Sequence, residues 1–226
     1  MPVPAIPRQL ALALPHAESF AREDFLGGPS NESALALIER WPDWPHRVVA
    51  LVGPEGSGKS HLAAIWAGVA GARFLSSRAL GMTHLPAALA TGALVVEDLI
   101  EGQLDERALF HLLNLAREDE GFVLLTARTA PTGWKTGLAD VASRLRALPV
   151  VTVSPPDDAL LRAVLVKLFA DRQLKVDENL VAYLSTRLER SFAAARDAVE
   201  TLDREALRLK RPVNRALAAE IFRERS

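Results

Sequence analysis

The sequence contains no cysteine, and its five histidines have no spacing that is typical of a metal site. The lack of cysteine excludes disulfides, thiolate metal sites and a cysteine nucleophile. No apolar run approaches the length of a membrane span, and the N-terminus has no basic segment leading into a long apolar core. We therefore predict a cytoplasmic protein that neither crosses a membrane nor carries a secretory signal.

The chain also lacks an excess of charge of either sign. Lysine and arginine together number 27 and aspartate and glutamate 28, which gives a net charge of −1 at pH 7. Without a basic excess there is no general attraction for nucleic acid, so any contact with DNA must be local or indirect. The last third is rich in arginine, but acids are interleaved there, and we interpret it as a solvated helical surface.

One octapeptide has the spacing of a phosphate-binding loop, G-x-x-x-x-G-K-[ST]. It follows an apolar run at 47–52 that predicts a buried strand, and a helical pattern at 60–69 comes after it. Glycines let backbone amides and the helix N-terminus face phosphates, while the lysine contacts the β- and γ-phosphates and the final serine holds Mg²⁺. The alternative is a glycine-rich turn that binds nothing. We predict a nucleotide site formed by Gly53, Pro54, Glu55, Gly56, Ser57, Gly58, Lys59, Ser60 and His61.

An acidic pair, Glu97 and Asp98, follows an apolar run at 93–96. Parallel sheets bind ligands at the carboxyl ends of their strands, so these carboxylates are expected near the phosphates. One of them would hold Mg²⁺ and the other could orient an attacking water. Alone, the pair would read as a solvated acidic turn; beside a phosphate-binding loop it indicates the second half of a nucleotide site.

The chain is predicted to divide into three parts: a flexible, proline-rich tail at 1–20, an α/β domain at 21–154 and a helical domain at 155–226. The second part begins with a helix from Glu32 to Arg40, capped by Ser30 and Asn31. Strands alternating with helices then predict a parallel sheet, and only helical patterns follow Pro155 and Pro156. The predicted strands are 47–52, 73–76, 93–97, 121–126 and 149–153, and the later helices are 60–69, 105–118, 157–171, 177–188, 191–209 and 213–223.

Together these features resemble the AAA+ ATPase module of the bacterial replication initiator DnaA. The resemblance also rests on the segments 25–31 and 141–145, and it implies a P-loop sheet domain followed by a small all-α lid. The sequence stops at Ser226 without the helix-turn-helix domain with which DnaA reads its sites. It is therefore most similar to the DnaA-related regulators of the Hda family, which combine this module with a short clamp-binding peptide.

Membership of that family implies roles for residues outside the loop. Arg144 matches the arginine finger, which would reach the γ-phosphate of a neighbouring subunit, and Arg146 is the alternative. The short peptide that binds the sliding clamp of DNA polymerase III corresponds to Gln9, Leu10, Leu12 and Leu14. Such a regulator, on a DNA-loaded clamp, stimulates hydrolysis of DnaA-bound ATP and so inhibits re-initiation. DNA is then contacted indirectly through the clamp, and homodimerisation is left open.

The same resemblance implies bound ADP or ATP with Mg²⁺, and weak intrinsic hydrolysis. Glu97 stands where the family usually has aspartate, and Thr126 is the candidate for its polar sensor residue. The lid arginine that senses nucleotide is displaced, which leaves Arg190 and Arg196 as candidates.

Two other functions fit the same module. One is a nucleotide-driven helicase loader resembling the DnaC type, which would need a helicase-binding N-terminal region. The other is a non-catalytic adaptor that bridges the clamp and DnaA and would tolerate loss of Arg144. A small-molecule kinase is a remote fourth reading, since the sequence shows no acceptor pocket.

Overall fold

A computed structural model describes residues 20–83 and 85–223, so the predicted tail and its Gln9, Leu10, Leu12 and Leu14 lie outside the described residues. Five parallel strands form one sheet in the order β2-β3-β4-β1-β5. This confirms the predicted α/β class. The strands are β1 Val48–Val52, β2 Arg73–Ser76, β3 Ala93–Leu99, β4 Phe122–Ala127 and β5 Val150–Thr152.

Helices cover both faces of this sheet, which explains why the central strands are continuous apolar runs. On one face, Val48, Ala50 and Val52 pack in a core with α4 and α5. On the other, Val49 and Leu51 pack with α1 and α2. The helices that accompany the sheet are α1 Glu32–Glu39, α2 Lys59–Ala70, α3 Leu85–Ala88, α4 Glu106–Glu118 and α5 Ala139–Arg146.

The C-terminal helices form a third hydrophobic core of their own, around Leu165, Phe169 and Leu202. All four begin with a side-chain cap, since Asp157, Asp177, Ser191 and Asn214 each accept a hydrogen bond from a backbone amide three residues on. We call this helical unit the lid. It consists of α6 Asp158–Asp171, α7 Glu178–Ser185, α8 Phe192–Leu209 and α9 Arg215–Arg223.

Several local features differ from the sequence-based expectations. The helices α3 and α5 were not predicted, and α7 ends at Ser185 rather than at 188. Asn31 precedes α1, but its side chain does not cap the helix. Instead, its Oδ1 accepts from the Gly28 amide at 2.9 Å and its Nδ2 donates to the Leu26 carbonyl at 3.1 Å. Asn31 therefore orders the segment before the helix rather than the helix itself.

Candidate nucleotide-binding site

The glycine-rich loop connects β1 to α2 and lies at the carboxyl edge of the sheet. A Cβ on Gly53 would lie 2.1 Å from the Val153 carbonyl oxygen. This is shorter than any real contact between two such atoms, so no residue with a side chain fits at position 53 unless the backbone moves. Gly56 and Gly58 have φ angles of +70° and +99°, in the region that glycine adopts without strain. The glycines of the predicted motif are thus required by the shape of this loop.

Lys59 opens α2 and is buried inside the loop, with 7% of its surface exposed. Its ammonium donates hydrogen bonds to the carbonyl oxygens of Gly53 at 2.8 Å and Pro54 at 2.7 Å. Burial lowers the pKa of this lysine, while the charge of Asp98 acts in the opposite direction. The loop therefore holds a desolvated cation at its centre, which suits it to bind an anion.

Ser57 and Ser60 offer two hydroxyls with different environments. Ser57 Oγ is buried and, among the residues that the structure describes, has no hydrogen-bond partner. Buried hydroxyls are normally paired, so an oxygen-rich ligand such as a phosphate would satisfy this group. Ser60 is exposed in the first turn of α2, next to Lys59. The loop thus fits the phosphates of a nucleotide and has a free hydroxyl available for a cation.

The acidic pair lies on β3, where a bulge shifts the register with β4 between Val96 and Leu99. Asp98 is exposed and has a φ of +54°, in the left-handed region that aspartate adopts more often than most residues with a side chain do. Its carbonyl accepts from Ser77 Oγ at 2.6 Å, and its amide donates to Thr126 Oγ1 at 3.0 Å. Thr126, the candidate sensor, is buried, with 1% of its surface exposed. Its hydrogen bond to the Asp98 amide supports the backbone at Asp98.

Strand order brings the two halves of the site together, because β3, β4 and β1 are neighbours and all end at the same edge. The influence of Asp98 on the pKa of Lys59 reflects this proximity. In the described part of the chain, no cluster of three or more histidines and carboxylates could hold a metal by itself. The donors present, Ser60 with Glu97 or Asp98, fit Mg²⁺ that completes its shell with phosphate and water oxygens.

Arg128 is a charged residue of the site to which the sequence assigned no role. It follows β4 directly, and its guanidinium forms a salt bridge of 2.7 Å with Glu55 of the loop. It also contributes to lowering the pKa of Lys59. The sequence shows that Arg128 directly follows a predicted strand. It does not show that this strand lies next to β1, and only that placement brings Arg128 to the loop.

A cavity of about 360 Å³ lies beside the loop, between the sheet domain and the lid. Its lining includes Phe25, Gly58, His61, Phe192 and Arg196. His61 Nε2 donates to the Ala21 carbonyl at 3.2 Å, and its ring meets Phe25 edge-on at 5.1 Å. Burial lowers the pKa of this imidazole. A space of this size next to a phosphate-binding loop suits the rest of a nucleotide.

The lid contacts the loop directly through the start of α8. The Phe192 amide donates to the Gly56 carbonyl at 2.7 Å. One turn later Arg196 lines the cavity, whereas Arg190 is exposed and pairs with Asp158 at 2.9 Å. Of the two lid arginines that the sequence left open, the structure thus brings Arg196 to the cavity and not Arg190.

Arg144 lies away from the cavity lining, on α5. It is partly buried, and its guanidinium carbon lies 4.8 Å from the centre of the Phe110 ring on α4. Arg146, on the same helix, is exposed. The stacking on Phe110 orients the Arg144 guanidinium.

Comparison with known proteins shows that both the fold and the sequence are similar to those of the replication initiator DnaA. Domain III of DnaA from Thermotoga maritima superposes with a TM-score of 0.76 at 16% identity, covering 91% of this chain and 96% of that one. DnaA from Caulobacter vibrioides (strain NA1000 / CB15N) is 32% identical over 174 residues, which is 66% of this chain and 35% of that protein. The chain has a DnaA-like domain, with the fold of DnaA domain III and a sequence similar to that of DnaA.

A third similar structure is the AMPPCP-bound DnaA from Aquifex aeolicus, with a TM-score of 0.68, 15% identity and coverage of 81% of this chain and 65% of that one. No protein-family model matches the sequence. The chain spans about a third of the length of the Caulobacter relative. Within residues 20–83 and 85–223, no helix of this DnaA-like domain has the length and hydrophobicity needed to cross a bilayer.

Proposed function

We propose that the site binds ADP or ATP together with Mg²⁺. The observation that carries this proposal is the loop around Lys59, with its required Gly53 and its unpaired Ser57 hydroxyl. The backbone of the loop and Lys59 would bind the phosphates, while Ser60 with Glu97 or Asp98 would hold the cation. His61 and Arg196 would face the rest of the nucleotide, because both line the adjoining cavity.

Titration with a fluorescent ADP analogue tests this proposal. We expect Lys59→Ala to weaken binding at least tenfold, because the variant removes the buried cation of the loop. Lys175→Ala is the matched control, since it removes an ammonium from an exposed position in the lid. Equal affinities of the two variants, or absence of binding by the natural chain, would contradict the proposed site.

We further propose that the protein is a negative regulator of replication initiation that acts on DnaA. In this proposal it works with the DNA-loaded sliding clamp and uses Arg144 to complete the ATPase site of DnaA. The similarity to DnaA in sequence and fold supports a role in the same process, replication initiation. The position of Arg144 supports it as well, since a guanidinium that is stacked on Phe110 is oriented before it meets a partner.

Hydrolysis of radiolabelled ATP bound to DnaA, measured with DNA-loaded clamp, tests the regulator proposal. We expect the natural chain to stimulate hydrolysis, and both Arg144→Ala and deletion of residues 1–15 to abolish the stimulation. Arg146→Ala is the matched control because it removes an exposed arginine from the same helix. Stimulation that survives both Arg144→Ala and Arg146→Ala would instead indicate an adaptor that bridges clamp and DnaA, whereas loss in Arg146→Ala alone would assign the finger to Arg146. No stimulation by the natural chain would contradict the proposal.

A further inference from the structure

Five of the ten arginines that the structure describes in the lid pair with a carboxylate of the lid itself. A carboxylate compensates the positive charge of each arginine in these pairs, which agrees with the near-zero net charge of the chain. The pairs and their distances are Arg172 with Asp203 (4.0 Å), Arg190 with Asp158 (2.9 Å), Arg204 with Glu200 (4.0 Å), Arg208 with Glu205 (2.7 Å) and Arg211 with Glu220 (2.9 Å).

Arg187 and Arg215 differ from these arginines because both stack on one aromatic ring. Their guanidinium carbons lie 4.3 and 5.7 Å from the centre of the Tyr183 ring. Both residues are exposed, and in the described part of the chain neither forms a salt bridge. Their positive charge is therefore available at the surface. The acid nearest to them along the chain is Glu189, two residues after Arg187.

Stacking on Tyr183 prepares the two guanidinium groups for binding. A cation on a ring face keeps its N–H edges free while the ring restricts the motion of its long side chain. The guanidinium groups of Arg187, which follows α7, and of Arg215, at the start of α9, thus form a pair of hydrogen-bond donors with restricted motion. The planar fork of arginine matches the oxygens of a phosphate or a carboxylate.

The surroundings favour phosphates of a nucleic acid over a protein partner. A stable protein interface has an apolar core, usually with large exposed side chains. Among the described residues, α7, α9 and residues 210–214 before α9 contribute none of the exposed large hydrophobic side chains. Those are Phe20, Val69, Phe74, Met82, Leu138, Val166 and Leu207. Contacts to a nucleic-acid backbone, in contrast, need only cations and hydrogen-bond donors.

We propose that Tyr183, Arg187 and Arg215 form a docking point for the phosphate backbone of a nucleic acid. The contact is independent of sequence, because contacts to phosphate oxygens do not distinguish bases, and it is weak by itself because only two cations contribute. It is also independent of the nucleotide site and of any action on DnaA. A local contact of this kind fits a chain whose overall charge gives no general attraction for DNA.

Fluorescence anisotropy with a labelled 20-base-pair duplex, titrated with the full chain at several NaCl concentrations, tests this inference. Each phosphate contact contributes about 0.9 to the slope of log affinity against log salt. We expect the double variant Arg187→Ala, Arg215→Ala to lower this slope by about 2 and to weaken binding about tenfold at 50 mM salt. Arg204→Ala, Arg208→Ala is the matched control because it removes two paired arginines of α8.

Four outcomes would overturn the inference. The first is that the natural chain does not bind the duplex at 50 mM salt. The second is that both double variants lose affinity equally, which would mean that DNA responds only to the overall charge of the protein. The third is that poly-glutamate, an acidic peptide, binds as tightly as DNA and loses affinity in the variant Arg187→Ala, Arg215→Ala. The lysine pair Arg187→Lys, Arg215→Lys keeps both charges, so we expect it to retain the salt slope with a lower affinity. A loss of that slope would also contradict the inference.

Discussion

At the scale of single residues, Gly53 leaves the least room for change. Alanine there would put its Cβ 2.1 Å from the backbone oxygen of Val153, so either the loop or β5 must move. We expect Gly53→Ala to lower the free energy of unfolding by about 1–3 kcal/mol, as overpacked sites do, and to abolish nucleotide binding. Urea unfolding and titration with a fluorescent ADP analogue measure the two effects.

Gly68 is the control for this substitution. It lies in α2, and a Cβ built there would meet nothing within 4 Å. Alanine is the better helix former by up to about 1 kcal/mol, so we expect Gly68→Ala to increase stability and leave binding unchanged. If Gly53→Ala behaved like Gly68→Ala, the tight approach of the loop to β5 would not exist in solution.

His61 is expected to make the protein less stable in mild acid. Burial lowers its pKa from the ordinary value of about 6.5, with Arg196 and Lys167 acting in the same direction and Ala21 and Asp24 opposing them. The unfolded chain therefore binds a proton at a higher pH than the folded one does. The contribution of His61 to stability is complete above about pH 6.5 and is lost as pH falls toward the folded-state pKa.

Urea unfolding between about pH 5 and 7.5 measures this effect. We expect the free energy of unfolding to depend less on pH in His61→Gln than in the natural chain. His111→Gln is the control because that histidine is exposed on α4. The same pH dependence in all three proteins would mean that His61 is not buried between the Ala21 carbonyl and the lid.

At the scale of elements, the start of α8 links the lid to the loop. Ser191 Oγ accepts from the Ala194 amide at 3.0 Å, and the adjacent Phe192 amide donates to Gly56. We expect Ser191→Ala to cost about 1 kcal/mol as a lost helix cap and also to weaken nucleotide binding, because the lid contact shifts. Unfolding and ADP-analogue titration give both values.

Asp177→Ala separates these two effects. Asp177 caps α7 by the same type of bond, from the Leu180 amide at 2.9 Å, but α7 does not line the cavity. We expect a similar loss of stability with unchanged affinity. Equal affinities of the Ser191→Ala and Asp177→Ala variants would show that the start of α8 does not affect the bound nucleotide.

The elements that could be predicted are those with a recognisable local residue pattern. The strand around Val49 is recognisable because both faces of the sheet are covered and the run is apolar throughout. The helix α5 was missed because it has only eight residues and a polar composition. The bulge at Asp98 could not be predicted, since Ser77 and Thr126, 21 and 28 residues away in sequence, hold it. The sequence could not decide between Arg196 and Arg190, because the choice depends on how α8 packs against the phosphate-binding loop.

At the scale of the whole molecule, the site joins two separate hydrophobic cores, one in the lid and one beside α2 in the sheet domain. The chain carries its own probes for both. All four tryptophans, at 41, 44, 66 and 134, precede the lid, whereas the only tyrosine is Tyr183 in α7. Tryptophan fluorescence therefore reports the sheet domain, and helical circular dichroism reports the lid as well.

A nucleotide bound between these cores is expected to stabilise both. At 100 times its dissociation constant a ligand adds about 2.7 kcal/mol, which corresponds to a rise of about 5–10 °C in Tm for a chain of this size. We expect ADP with Mg²⁺ to raise the fluorescence and circular dichroism transitions together, and to raise neither in Gly53→Ala. A shift of the fluorescence transition alone would mean that the nucleotide stabilises the sheet domain without the lid, and hence that the contacts from α8 to the loop contribute nothing to its binding.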